Sequence, residues 1–152
     1  MKRADRTLLG FDFGKKHIGV AVGQELTGAA TPLETLHPVS DKPDWDAITR
    51  LIETWRPAGL VVGIPLHMDG SEQVMTLEAR RFARQLAGRF QLPVYPVDER
   101  LSTIEAGHLL HDSDTDRHRA RRKRGIDAIA AQIILQTWFN EASRGTQDPG
   151  DG

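Results

Sequence analysis

Three acidic residues stand where a folded chain has reason to avoid them. Asp12 interrupts the apolar run Leu8–Phe13, between Phe11 and Phe13. A carboxylate buried there without a partner is costly or shifts its pKa. Glu99 follows the apolar run Val94–Val97, at the C-terminal end of a predicted strand, where sites in open sheets with parallel strands gather. Asp127 opens the segment IDAIAAQIIL, Ile126–Leu135. At about 100° per residue, Gln132 and Gln136 mark a polar stripe. Asp127 falls on the other side, with Ala131, Ile134 and Leu135. Each acid also has a plainer account. Asp12 can cap a turn ahead of Gly14. Glu99 can pair with Arg100 or favour the start of a following helix, with Asp98 as an adjacent competitor. Asp127 sits in a first helical turn, where the macrodipole favours an acid. If the sheet places Asp12 centrally, all three converge. Carboxylates with a few waters suit Mg²⁺ or Mn²⁺. Such a cluster activates water and stabilises the leaving oxygen in phosphodiester cleavage.

The elements that must position these acids follow from periodicity. Leu8–Phe13 and Ile18–Val22 flank the turn Gly14-Lys15-Lys16-His17 and predict a β-hairpin. Ala29–Val39 predicts a third strand, placed at an edge by Pro32 and Pro38. Asp41–Asp44 opens a helix in which Trp45, Ile48, Leu51, Ile52 and Trp55 keep the helical period, with Pro57 as its stop. GLVVGI, Gly59–Ile64, reads as a buried strand. Ser71 is the expected cap of a long helix to about Gly88, and Leu92–Val97 a further strand. Ser102-Thr103-Ile104-Glu105 matches a capping box and predicts a helix to about His111. A charged loop then leads to a last helix, Ile126–Phe139. The order is β-β-β-α-β-α-β-α-α. It predicts an α/β fold: a mixed five-stranded sheet, a three-strand antiparallel meander plus two parallel strands, with helices on both faces.

Composition narrows the class. At 152 residues, with 39% hydrophobic and 27% charged content, the chain reads as one globular domain over 1–140, with a polar, disordered tail over 141–152. It has no cysteine, hence no disulfide framework and no thiolate zinc site. No segment is apolar for long enough to span a bilayer, and the N-terminus lacks the hydrophobic region of a signal peptide. The expectation is a soluble, cytoplasmic protein without membrane partners; the sequence carries no signal of oligomeric state. The formal net charge of −1 gives no global nucleic-acid footprint. The basic residues are unevenly placed, however: Arg117, Arg119, Arg121, Arg122, Lys123 and Arg124 crowd just before Asp127.

The blocks LGFDFGKKHIGVAVG, VVGIPLHMDGSE, VDERLST and DAIAAQIILQTW resemble, in order and spacing, the motifs of the YqgF (RuvX) family. That family is a bacterial branch of the RNase H-like nuclease superfold, related to the RuvC Holliday-junction resolvases. The resemblance covers about residues 7–140. It implies an RNase H-like fold and a nuclease processing the 5′ end of precursor 16S ribosomal RNA; resolution of branched DNA is the alternative. It carries over Asp12, Glu99 and Asp127 as catalytic and metal-binding positions, with Arg100 and Ser102 in support. The chain departs from the family where His67 stands, since Asn is expected there.

The basic segment predicts electrostatic binding of nucleic acid. Arg119, Arg121, Arg122, Lys123 and Arg124 would hold the phosphate backbone near the acids, with Lys15 and Lys16 approaching from the hairpin turn and Arg100 beside Glu99. The alternative is a solvated charge run. Arg80, Arg81 and Arg84 read as a solvated helix face, and Trp45, Trp55 and Trp138 as core. The histidines, His17 and His37 among them, are too scattered to suggest zinc. Two other functions compete with a nuclease. A non-catalytic nucleic-acid-binding module would not need three inward acids. An actin-like ATPase would need two domains of this kind.

Overall fold

The computed structural model of the protein describes residues 6–101 and 126–146. The predicted helix from Ser102 and the basic residues Arg119, Arg121, Arg122, Lys123 and Arg124 lie outside the described residues. The elements are β1 (Thr7–Phe13), β2 (Ile18–Gln24), β3 (Ala29–Leu36), α1 (Trp45–Trp55), β4 (Gly59–Ile64), α2 (Val74–Phe90), β5 (Val94–Asp98) and α3 (Ile126–Thr146).

One five-stranded sheet runs in the order β3-β2-β1-β4-β5. β1 is its centre. It pairs antiparallel with β2 and parallel with β4, so the predicted meander and the parallel pair meet on this strand. Strand alternation sorts the side chains by face. Leu9, Phe11, Val20, Val22, Leu60 and Val62 join one core with α1 and α2 residues such as Ile48, Leu51, Phe82 and Leu86. Leu8, Ala21, Val61 and Val97 form the other core with Ala131, Ile134, Leu135 and Phe139 of α3.

The α3 face of the sheet is unusually bare. Gly10, Gly19, Gly23 and Gly63 all lie under the helix. A Cβ at Gly10 would stand 2.9 Å from the Leu135 Cβ, and one at Gly23 would stand 2.6 Å from the Phe139 ring. The helix therefore rests almost on the strand backbones. Its polar stripe is put to use as well. Gln132 Nε2 donates to the Ala30 carbonyl (3.0 Å), Ala30 N–H donates to Gln136 Oε1 (3.3 Å), and Gln136 Nε2 donates to the Gly28 carbonyl (2.6 Å). The polar stripe thus satisfies backbone at the edge strand β3, where unpaired groups invite aggregation.

Several boundaries differ from expectation. β3 stops at Leu36 because residues 37–44 form a turn: Val39 pairs with Lys42, and Ser40 and Asp41 are left-handed at φ 53° and 63°. α1 closes at a left-handed Arg56, whose N–H donates to the Ile52 carbonyl, so it ends before Pro57 acts. α2 begins at Val74 rather than at Ser71. Ser71 is held by the Asp69 carboxylate through its N–H (2.8 Å) and hydroxyl (2.6 Å), and Leu66 bridges to Glu72. The start is tied instead by Gln73 N–H donating to Thr76 Oγ1, whose hydroxyl donates to the Pro65 carbonyl. β5 begins at Val94 rather than Leu92 and ends at Asp98. α3 continues to Thr146, taking in residues expected to be a tail; once a helix is nucleated, each further residue costs little.

Candidate active site

Asp12 is placed by alternation. Phe11 and Phe13 both reach the opposite core, where their rings lie 5.7 and 4.9 Å from that of Phe82. The residue between them must face α3. Its cross-strand partner on β2 is Gly19, and one residue beyond the Phe11–Val62 pair β4 places Gly63 beside it on the other flank. Asp12 thus stands between two glycines, and each makes room for a second acid. A Cβ at Gly19 would overlap the Asp127 carbonyl oxygen, so the first turn of α3 seats Asp127 there. A Cβ at Gly63 would lie 3.0 Å from Glu99 Cγ. Glu99 itself follows β5 directly, where the chain turns helical over residues 99–101.

The electrostatics match this crowding. The Asp12 carboxyl is raised to about 8, first by desolvation, then by the charges of Glu99 and Asp127. Glu99 is raised too, by desolvation and then by Asp98. Asp98 goes the other way. Arg100 grips it with Nε at 3.1 and 3.0 Å and Nη2 at 2.6 Å, and holds its carboxyl below the usual range. Asp98 is thereby committed to Arg100, while the Glu99 charge bears on Asp12. Arg100 also donates to the Met68 carbonyl at 3.3 Å, tying the end of β5 to the loop after β4. His67, the departure from the family pattern, is exposed in that loop; its N–H donates to the Ser71 carbonyl and its carbonyl accepts from Gly70.

Among the described residues no group of three His, Asp or Glu side chains stands as a ready coordination shell. The three carboxylates offer oxygen ligands only, the donor type that a hard divalent cation takes. Asp12 could contribute from the sheet, Glu99 from the end of β5 and Asp127 from α3. Of the predicted cationic contacts, Lys16 is exposed at the turn. Lys15 turns to the α2 side, 3.3 Å from Glu78.

A neighbour of the acids that the sequence reading did not place at the site is His17. His17 Nδ1 lies 3.8 Å from Asp127 Oδ2, and its ring meets that of His37 edge-on at 5.0 Å. The available signal was its place, closing the turn two residues before Gly19.

A mixed five-stranded sheet of this order, with acids at the central strand, the end of β5 and the last helix, is an RNase H-like architecture. The whole fold is similar to that of RuvC of T. thermophilus, solved in complex with a Holliday junction substrate: TM-score 0.51, 19% identity, covering 93% of this chain and 97% of that one. At the sequence level the chain belongs to the RuvX family, described as Holliday junction resolvase, which it matches over residues 6–141. It is 54% identical over 136 residues to a "Putative pre-16S rRNA nuclease" of Nitrosococcus oceani, covering 90% of this chain and 88% of the relative. A protein of the same name from Yersinia enterocolitica is 49% identical over 138 residues, covering 91% and 97%. No helix among the described residues is long and apolar enough to cross a membrane.

Proposed function

We propose that the protein is a nuclease that hydrolyses phosphodiester bonds at Asp12, Glu99 and Asp127, and that its task is 5′-end processing of precursor 16S rRNA in the cytoplasm. One observation carries the reading: Asp12 is desolvated between two glycines that admit two further acids, and no Lys, Arg or His among the described residues pairs with it. A fold gains no stability from that arrangement. It gains a place for a divalent cation. Asp12, Glu99 and Asp127 would hold Mg²⁺ or Mn²⁺, which when bound supplies the positive charge that polarises a phosphate and its attacking water.

The chain's own contribution is position. Asp12 is fixed by the central strand and Asp127 by a helix seated on backbone. Glu99 is set at the end of β5, where Arg100 holds its neighbour Asp98. Donors held by packed elements lose little on binding, the condition for a preorganised site. Lys16 and the basic residues Arg119, Arg121, Arg122, Lys123 and Arg124 would add salt-dependent, sequence-independent affinity for phosphates. The names of the relatives support rRNA as the substrate.

A second substrate, branched DNA, is favoured by the family's description as a resolvase. The two readings differ in substrate, not in chemistry. Cleavage of precursor 16S rRNA and of a four-way junction is compared at matched Mn²⁺ and salt. The expected result is metal-dependent trimming of the RNA that Asp12→Asn abolishes. Full cleavage by that variant would remove Asp12 from the mechanism; faster cutting of the junction would reassign the substrate.

A further inference from the structure

A cavity of about 640 Å³ opens on the sheet face opposite the acids. Its wall begins at Phe13 and Gly14, immediately after Asp12, so the β1–β2 turn is the crest between the two. The volume is in the range of small-molecule sites, roughly 300–1,000 Å³. Its lining differs from an ordinary solvated surface in two respects.

The first is charge. Lys15, Lys42, Arg81 and Arg89 line the cavity against Asp41 and Glu78. Lys15 is paired with Glu78. Among the described residues neither Lys42 nor Arg81 has a carboxylate at ion-pair distance. The neighbouring arginines of α2 behave differently: Arg80 pairs with Glu72 at 2.7 Å and Arg84 is not part of the lining. Residues 78, 81, 85 and 89 follow one helical stripe, so the cations are aligned along the cavity. Arg80, Arg81 and Arg84 are all exposed, as expected of a solvated helix face, and Arg81 is the one of the three that lines the cavity.

The second is the apolar floor. Trp45 is anchored in the core, its ring 5.8 Å from that of Phe82, and the Arg89 guanidinium lies 4.1 Å from its centroid. Phe13 adds a further aromatic wall. Unpaired cations beside aromatic rings and a guanidinium plane match alternating phosphates and bases of a single strand, where stacking contributes about 1–3 kcal/mol per base. A duplex keeps its bases stacked inside two backbones and does not offer them to such a wall.

We propose that this cavity is a subsite for a single-stranded stretch of nucleic acid, taken over the β1–β2 turn from the acids on the other face. Lys42 and Arg81 hold its phosphates, and the Trp45–Arg89 wall receives a base. The proposal rests on the nuclease reading for its purpose, but its test does not depend on cleavage.

The test uses the full chain carrying Asp12→Asn, so that bound RNA is not cut. Binding of a fluorescein-labelled single-stranded octaribonucleotide is measured by anisotropy from low to moderate salt, beside a duplex of the same sequence. Lys42→Glu with Arg81→Glu is expected to weaken single-strand binding at least tenfold. The slope of log affinity against log salt should fall by about 1.4, two phosphates at about 0.7 each. Lys42→Arg with Arg81→Lys, which keeps the charge, should restore both. Duplex affinity should change by less than threefold. Unchanged single-strand affinity, or an equal loss for strand and duplex, would overturn the subsite. A protein that shows the single-strand effect but whose Asp12-bearing form never cuts RNA or DNA in Mn²⁺ would keep the subsite and refute the nuclease.

Discussion

Replacing Asp12 by Asn should make the metal-free protein more stable while destroying its activity. In the fold the carboxyl titrates near 8; in the unfolded chain it titrates near 3.8. The folded state therefore holds its proton more tightly. Below pH 3.8 both states are protonated and the group is neutral in its effect. Between 3.8 and 8 the unfolded chain ionises while the fold does not, and stability falls with each pH unit by about 1.4 kcal/mol. Above 8 the full cost is present. Carried to pH 7 this amounts to about 4 kcal/mol, and allowing for water at a partly exposed site, about 3 kcal/mol. Asn keeps the shape and has no charge to desolvate. For a chain of this size the gain corresponds to a Tm increase of roughly 6–12 °C at pH 7 in EDTA, shrinking to within about 3 °C at pH 4. Millimolar Mn²⁺ should raise the Tm of the native protein and not that of the variant. Calorimetry at the two pH values, with and without metal, checks all of this. Equal melting at pH 7, or a less stable variant, would refute the view that Asp12 is held at a cost for the sake of a cation.

Three other expectations concern what surrounds the acids. Gly19→Ala would drive its Cβ into the Asp127 carbonyl and should destabilise the chain by more than about 2 kcal/mol, measured by urea unfolding, with loss of cleavage. Gln136→Ala should cost about 1–2 kcal/mol and increase aggregation, followed by light scattering, because backbone at Gly28 and Ala30 loses its partner. Arg100→Gln should return the Asp98 carboxyl upward to the ordinary range. The stability this pair provides at neutral pH, lost in the native protein only as pH falls through the depressed Asp98 value, should disappear; NMR titration of the Asp98 side chain reads the shift.

Local rules made much of this molecule legible. The β1–β2 hairpin and GLVVGI announced themselves by apolar runs broken at turn residues, and Pro32 marked β3 as an edge. Asp12 stood out because its neighbours on both sides are aromatic. What the sequence hid is tertiary. Nothing local says that Gly19 and Gly63 flank Asp12, because glycine in a strand signals only that something comes close, not what. Gln132 and Gln136 show in the sequence only as a polar stripe, because an amide that caps an edge strand has the same periodicity as one that is solvated. Ser71 has the look of a helix cap, but Asp69 competes for it two residues earlier. Arg81 and Arg84 differ by three positions on one helix, yet one lines a cavity and the other does not. That difference depends on where Trp45 and Lys42 come to rest.

The bare glycine face under α3 has a consequence for how such an enzyme can change. Helices commonly ride on side chains, whose rotamers and lengths let a separation drift by fractions of an ångström as sequences diverge. Here helix side chains rest on bare strand backbone at Gly10, Gly23 and Gly63, helix backbone rests on it at Gly19, and one added methyl group is already too large. The spacing between strand acid and helix acid behaves as a fixed gauge rather than an adjustable one. A substitution that alters what is cut is accommodated more easily elsewhere, in the loops and on the face beyond the hairpin turn, than in this gauge.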